Sequence, residues 1–317
     1  MNKDLISVVI PCYKCAKSID ELYTRLISTL EKFTNPFEII FINDASPEYD
    51  WDVIKNLSLK DNRVKGINLS KNFGEYHALT AGLDHCLGDW IIIMDGDLQD
   101  RPEEIPKLYA KIQEGFDIVS AKRRKRKDNF IKKIQSKLFY MLFSYLTDTQ
   151  QDPDINNFGM YNKRTIDTIK DMKERTRFFP IMIKWIGFNS ETVEVEHSER
   201  KYGKTGYSFK KLLELSTDTI IAFSDKPLRL LIKFGFCIVL LSFVSIIYLI
   251  MDYIMGWSRI VPGWSSMIVS IWLSTGIIII LVGTVGIYIG KIFDEVKKRP
   301  LYIIKDKANI IKEKINI

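Results

Sequence analysis

Over the first two hundred positions the apolar residues fall into short β-branched runs separated by stretches with helical spacing. That alternation predicts an α/β sheet. Residues 6–10, Ile-Ser-Val-Val-Ile, are stopped by Pro11 and predict a first buried strand followed by a loop at 12–16. Ser18 then reads as a helix N-cap, with Ile19, Leu22, Leu26, Ile27 and Leu30 recurring behind it on one face. The same pattern predicts strands at 37–42, 64–69, 91–94, 116–121, 156–161 and 192–196, and helices at 75–86, 102–114 and 164–172.

After residue 228 the pattern changes. Residues 234–251 and 267–290 carry no charge, and each run is long enough to cross a bilayer core as a helix. A buried helical hairpin in a soluble core is the alternative, which these lengths disfavour. Gly256, Pro262 and Gly263 break the segment between the runs, where Arg259 is the one basic residue. Lys226, Arg229 and Lys233 precede the first run, and Lys291, Lys297, Lys298 and Arg299 follow the second. By the positive-inside bias both termini face the cytoplasm and the hairpin loop faces outward. No apolar signal-peptide core precedes Ile6, so the α/β part is expected to stay cytosolic.

The predicted organisation is an α/β domain at 1–205, a juxtamembrane interfacial helix at 206–227, two spans within 228–290 (about 230–253 and 266–290) and a cytoplasmic tail at 291–317. Gly283, Gly286 and Gly290 put small residues on the second span. The G-x-x-x-G spacing of the last two suits close packing of the two spans or of two subunits, so a homo-oligomer stays open.

Composition sharpens the choice of partner. The formal charge of +7 calls for an anionic partner, while 46% hydrophobic residues in 317 is high for a plain nucleic-acid binder. Lys122, Arg123, Arg124, Lys125, Arg126 and Lys127 run in succession, and 130–146 continues as a basic amphipathic helix with Ile131, Ile134, Leu138, Phe139, Leu142, Phe143 and Leu146 on its apolar stripe. A solvated loop is the ordinary reading of such a run. The apolar and aromatic content behind it suits an anionic membrane surface better than a duplex, so membrane lipids are expected and nucleic acid is not. Cys12 and Cys15 form a C-x-x-C. With no second pair or nearby histidine to complete a zinc site, they read as reduced structural thiols.

The chemistry gathers where a core strand runs into acids, at Ile91-Ile92-Ile93-Met94-Asp95-Gly96-Asp97-Leu98-Gln99-Asp100. Asp95, Asp97 and Gln99 alternate along an extended backbone and so share a face, and Gly96 is expected to let a ligand approach closely. Two carboxylates and an amide oxygen suit a hard divalent cation, Mg²⁺ or Mn²⁺, holding a diphosphate. An acidic turn leading into a helix at Pro102 is the alternative. Asp44 ends the second strand, and ligands of open α/β sheets sit beyond the strands' carboxyl ends. Pro11 to Tyr13, Asp44 and Asp95 to Asp97 are therefore expected to line one crevice. Neither G-x-G-x-x-G nor a Walker A sequence occurs, which argues against the dinucleotide and P-loop modes. The glycine-punctuated basic loop Arg200-Lys201-Tyr202-Gly203-Lys204-Thr205 reads as one that closes over a phosphate.

The chain resembles family 2 glycosyltransferases of GT-A fold, in the polyprenyl-phosphate branch that includes dolichyl-phosphate mannose synthase and bacterial undecaprenyl-phosphate glucosyltransferases. The resemblance covers residues 5–290. It rests on Ser70-Lys71-Asn72-Phe73-Gly74, Ala78-Leu79-Thr80-Ala81-Gly82-Leu83-Asp84, Met94 through Asp100, Ser136-Lys137-Leu138-Phe139-Tyr140 and Lys226-Pro227-Leu228-Arg229. It implies a Rossmann-like GT-A domain followed by a two-helix transmembrane hairpin, in the bacterial inner or plasma membrane. Pro11, Tyr13 and Asp44 would hold the base and ribose of a UDP- or GDP-linked sugar, with Asp95 beside the donor and Asp97 and Gln99 on the metal. Asp95 and Asp97 would be the catalytic acids, and Arg200 and Lys204 would close over the donor. Lys122, Arg123, Arg124, Lys132 and Ser136 match the region that grips the acceptor lipid phosphate.

Three positions depart from the family pattern: Cys15 stands where an acid is usual, Lys132 where arginine is common, and Asn157 where relatives often carry Asp, with Asp154 nearby. The implied reaction is inverting, metal-dependent transfer of the sugar to polyprenyl phosphate. The rival readings are a transferase extending a lipid-linked or cell-surface polysaccharide and a non-catalytic membrane scaffold. The first typically carries a Gln-x-x-Arg-Trp motif that this chain lacks.

Overall fold

A computed structural model describes residues 4–33, 36–123, 141, 143–147, 152, 154–198, 201, 217–222, 224–255 and 263–310. The chain divides into two compact units. One comprises Met1–Tyr145, Thr149–Leu212 and Pro300–Ile317, the other Leu146–Asp148 and Leu213–Arg299.

Among the described residues the first unit is built on an eight-stranded mixed sheet: β1 (Ile6–Cys12), β2 (Phe37–Asn43), β3 (Val64–Leu69), β4 (Trp90–Ile93), β5 (Ile118–Arg123), β6 (Ile155–Asn162), β7 (Ser190–Val195) and β8 (Ile304–Ala308), in the order β7-β5-β6-β4-β1-β2-β3-β8. This is the α/β domain that the GT-A resemblance implies. β1 pairs in parallel with β2 and with β4, and β2 with β3. β6 runs antiparallel to both β4 and β5. Val8, Val9 and Ile10 of β1, Ile39 through Ile42 of β2 and Ile91 and Ile92 of β4 have no exposed surface. Burial on both faces is why their sequences are continuous apolar runs without alternation.

Helices α1 (Ala16–Leu30), α2 (Asp50–Lys60), α3 (Glu75–His85), α4 (Ile105–Ile112), α5 (Lys163–Asp171) and α6 (Phe179–Trp185) pack around the sheet, α4 being led by a 3₁₀ turn at Pro102–Glu104. Ile19, Leu22, Leu26 and Leu30 lie on the buried side of α1, as their spacing predicts. Ser18 is not the cap. The helix starts at Ala16, and the Ser18 hydroxyl donates instead to the Gly96 carbonyl at 2.6 Å, tying α1 to the acidic strand end.

Residues 300–310 differ from the expected cytoplasmic appendage. β8 adds antiparallel to the edge of β3, Asn309 donates to the Val64 carbonyl at 3.0 Å, and the Tyr302 hydroxyl donates to Asp84 at 2.7 Å. The sequence hid this strand because Ile-Lys-Asp-Lys-Ala is an edge strand with its three middle residues exposed, so it carries no apolar run.

The second unit holds α7 (Lys226–Met255) and α8 (Trp264–Val296). Within α8, Ser270–Val296 is long and apolar enough to cross a membrane, and none of its most apolar window is buried. On α7, Phe234, Phe236, Leu240, Leu241, Val244, Ile247 and Tyr248 are exposed. Of the predicted interfacial helix at 130–146 only 141 and 143–146 are described. There Phe143 is buried, its ring 6.2 Å from that of Phe178, so this residue of the expected lipid-facing stripe packs on protein.

Candidate active site

Three carboxyl-terminal strand ends, those of β1, β2 and β4, stand side by side in the sheet. Each is followed within a few residues by a non-glycine residue in the left-handed region: Lys14 (φ 58°), Ala45 (φ 48°) and Leu98 (φ 66°). Such conformations cost free energy and persist where surrounding contacts over-determine them, as at ligand sites.

The contacts that hold these turns are visible. The Lys14 amide donates to Ser46 Oγ at 3.0 Å, the Ser46 amide to Asn43 Oδ1 at 3.1 Å and the Cys15 amide to Asp50 Oδ2 at 2.9 Å. Asp44 is buried, and its carboxylate accepts from the amides of Phe73 (2.7 Å) and Gly74 (2.9 Å). Gly74, at φ 95°, is the N-cap of α3. With no side chain of its own there, the helix start is held by an aspartate from the neighbouring strand end. Tyr13, 44% exposed beside these turns, presents a ring with the Lys14 ammonium 5.4 Å from its centre.

At the end of β4, Asp95, Asp97 and Gln99 are half-buried while Gly96, Leu98 and Asp100 between them are buried. Burial alternates as the sequence predicts, but the backbone is not extended: 96–97 form a turn, Leu98 is left-handed and the Gln99 amide donates to Asp97 Oδ1 at 3.0 Å, so the expected face shared along a strand is corrected. What approaches Gly96 is the chain itself. A Cβ there would meet Cys12 Sγ at 3.2 Å, the Pro11 carbonyl oxygen at 3.3 Å and Cys15 Sγ at 3.4 Å. The expected use of Gly96 as a ligand approach is thus corrected: its lack of a side chain lets the β1–α1 turn pack against the acidic segment. Cys12 and Cys15 are free thiols. The hydrogen bond to Cys15, together with burial, pushes the Cys12 thiol well above its usual range.

Glu75 and His197, which sequence reasoning left out, join the site, as does Asn157, which it named only as a departure from the family pattern. Burial, then the charges of Glu75, Asp100 and Asp97, hold the Asp95 carboxyl well above the usual range, and the Arg123 guanidinium opposes them. Asn157 on β6 donates to Glu75 Oε1 at 2.9 Å. Two buried polar atoms in this neighbourhood, Asn157 Oδ1 and Arg123 Nε, have no hydrogen-bond partner among the described residues. Glu75 and Asn157 lie far apart in sequence, so no local spacing announces the pair. Asp100 closes the same acidic run. It forms an antiparallel bridge with His197, whose Nδ1 is 3.7 Å from Asp100 Oδ1, and the Ser198 amide donates to the Gln99 carbonyl at 3.0 Å. Residues 196–198 therefore run along 99–101.

Of the acceptor-side candidates, Arg123 acts on Asp95 as described. The Lys122 ammonium is paired with Asp152 at 2.8 Å. Pro11 is half-buried at the end of β1. Arg124, Lys132, Ser136, Arg200 and Lys204 lie outside the described residues.

The donor set fits a hard divalent cation. Asp97 and Gln99 supply oxygen, and the mutual repulsion of Asp95, Asp97, Asp100 and Glu75 is what a cation relieves. Among the described residues no three His, Cys, Asp or Glu side chains form a ready-made cage, so the remaining ligands would come from the substrate, as is usual for Mg²⁺ on phosphates.

Residues 7–168 match the profile described as "Glycosyl transferase family 2". The chain belongs to that family. Full-length relatives agree. An uncharacterized glycosyltransferase of Bacillus subtilis is 38% identical, over 96% of this chain and 94% of its own length. A prophage bactoprenol glucosyl transferase homolog of Escherichia coli is 36% identical, over 95% and 98%. The undecaprenyl-phosphate 4-deoxy-4-formamido-L-arabinose transferase of Proteus mirabilis is 31% identical, over 98% and 96%. This family 2 chain is a glycosyltransferase, and its curated relatives include members of the polyprenyl-phosphate branch.

Proposed function

We propose that the enzyme transfers a sugar from a UDP- or GDP-linked donor to polyprenyl phosphate at the cytoplasmic membrane face, with inversion. The observation that carries this reading is the cluster at the end of β4: Asp95 amid Asp97, Asp100 and Glu75, with the charge of the Arg123 guanidinium acting on it. The relatives named for undecaprenyl-phosphate and bactoprenol transfer support the acceptor.

In this reading Tyr13 and the turns held by Asp44 and Ser46 seat the nucleotide. Asp97 and Gln99 hold Mg²⁺ or Mn²⁺, which when bound neutralises charge on the donor diphosphate. Asp95 orients the sugar, and Arg123 draws the acceptor phosphate toward it. The orphaned Arg123 Nε is a donor suited to a phosphate oxygen. A phosphate monoester has its second pKa at about 6, so it arrives largely as a dianion and needs no strong general base. Single displacement by its oxygen inverts the anomeric centre. Arg200 and Lys204, which follow Ser198 in sequence, are assigned to closing over the donor.

The sheet also supports a two-helix membrane hairpin. β8 is hydrogen-bonded to β3 within the α/β unit, so the chain leaves that unit before α7 and returns to it after α8. A segment that leaves and re-enters one domain crosses a bilayer an even number of times. A single crossing by Ser270–Val296 would put β8 on the wrong side, and α7, with its uncharged stretch at 234–251, supplies the return. The organisation proposed is thus a cytosolic transferase domain held to the membrane by α7 and α8, with both chain ends cytoplasmic.

The test is transfer itself. Membranes holding the enzyme, given labelled nucleotide sugars and polyprenyl phosphate, should form a labelled lipid only with Mg²⁺ or Mn²⁺. Label found only in longer oligosaccharides would favour the polysaccharide-extending reading.

A further inference from the structure

We infer that Asp306, on the C-terminal strand β8, is a positioning residue for the donor site, acting through a row of side-chain hydrogen bonds across the sheet. The inference rests on the nucleotide-sugar reading of the strand ends and adds to it a residue from the far edge of the domain. Cys12, Asn43, Asn68 and Asp306 are partners in register on β1, β2, β3 and β8. Along that row, Asn68 Nδ2 donates to Asp306 Oδ2 at 3.2 Å and Asn43 Nδ2 donates to Asn68 Oδ1 at 2.9 Å. Asn43 Oδ1 accepts from the Ser46 amide at 3.1 Å, and Ser46 Oγ accepts from the Lys14 amide at 3.0 Å.

The direction of these bonds matters. An ionised carboxylate only accepts, so Asp306 obliges Asn68 to turn its NH₂ outward and its oxygen toward Asn43. Asn43 must then turn its own NH₂ to Asn68 and its oxygen to the Ser46 amide. One exposed carboxylate thereby fixes the orientation of two buried amides. Those amides in turn hold the turns at Lys14 and Ala45, both in left-handed backbone, beside the exposed Tyr13. An asparagine free to turn over would offer NH₂ to an amide N–H and release the turn. Asp306 itself is exposed at a sheet edge, so its replacement leaves the core intact.

The experiment compares the full-length parent with Asp306→Ala and Asp306→Asn. Hydrogen exchange at the Lys14 and Ser46 amides is read first, since it needs no substrate. Alanine should lose protection there by about threefold to tenfold, the scale of one hydrogen bond, and asparagine, which keeps an acceptor oxygen, should retain most of it. The second readout is steady-state transfer with whichever of a panel of UDP- and GDP-linked sugars the parent uses. Donor KM should rise severalfold in Asp306→Ala, with kcat, the polyprenyl-phosphate KM and the thermal midpoint near parent values, and Asp306→Asn should return donor KM toward the parent.

Unchanged exchange at Lys14 and Ser46 overturns the inference, as does a fall in kcat and thermal midpoint together with a rise in both KM values, which would mark a merely structural strand. A parent that takes no nucleotide sugar sinks the functional reading instead, and the exchange measurement still decides the role of Asp306.

Discussion

Asp97 and Asp44 are both acidic residues at strand ends, yet their surroundings assign them different work. Asp97 is half-buried at the β4 end, so Asp97→Ala should cut transfer by about a hundredfold or more. It should also abolish the thermal shift that Mn²⁺ and nucleoside diphosphate give the parent. Both readouts are needed, because loss of activity alone would not separate metal binding from sugar orientation. Asp44 is buried with its carboxylate committed to the Phe73 and Gly74 amides. Asp44→Ala leaves two N–H groups at the head of α3 without that partner and should cost about 1–3 kcal/mol, read as a lower urea midpoint. At this scale the sequence marks Asp95, Asp97 and Gln99 plainly, because they interrupt a core strand. It does not mark Glu75 or His197, and it marks Asn157 only as a departure from the family pattern; their contacts come from strands and helices brought together across long sequence separations.

At the scale of elements, the parallel centre of the sheet is legible because strands buried on both faces must be apolar throughout, as 39–42 and 91–94 are. β8 is the opposite case: an exposed edge strand has no apolar signature, and it is recruited by backbone pairing with β3. The turn from α2 into β3 carries a pH prediction. Asp61 accepts from Arg63 and Tyr23, and the hydrogen bond to the Arg63 guanidinium holds its carboxyl below the ordinary value. A carboxyl whose folded pKa is depressed adds stability above its unfolded pKa and loses that contribution as pH falls through the folded one. The urea midpoint of the parent should therefore fall more steeply than that of Asp61→Asn between neutral pH and the acid side of the carboxylate range. Parallel curves would show that this pair adds nothing.

For the whole molecule, the return of the chain to β8 ties membrane topology to the fold, and the two crossings it calls for can be checked directly. In intact cells a membrane-impermeant maleimide should label Arg259→Cys, between α7 and α8 in sequence, and leave Lys305→Cys, exposed on β8, unlabelled until the membrane is opened. Labelling of residue 259 only after permeabilisation would contradict the hairpin. The positive flanks suggest this topology from the sequence, and the pairing of β8 with β3 adds a separate argument for an even number of crossings. The central claim is that the acidic end of β4 passes a sugar from a nucleotide to a lipid phosphate. Its most direct test is the purified full-length chain in liposomes with polyprenyl phosphate, Mn²⁺ and a panel of labelled UDP- and GDP-sugars. One donor should yield a labelled, solvent-extractable lipid with inverted anomeric configuration, lost in Asp97→Ala. Binding of a nucleotide sugar with no label reaching the lipid under any of these conditions would contradict the account.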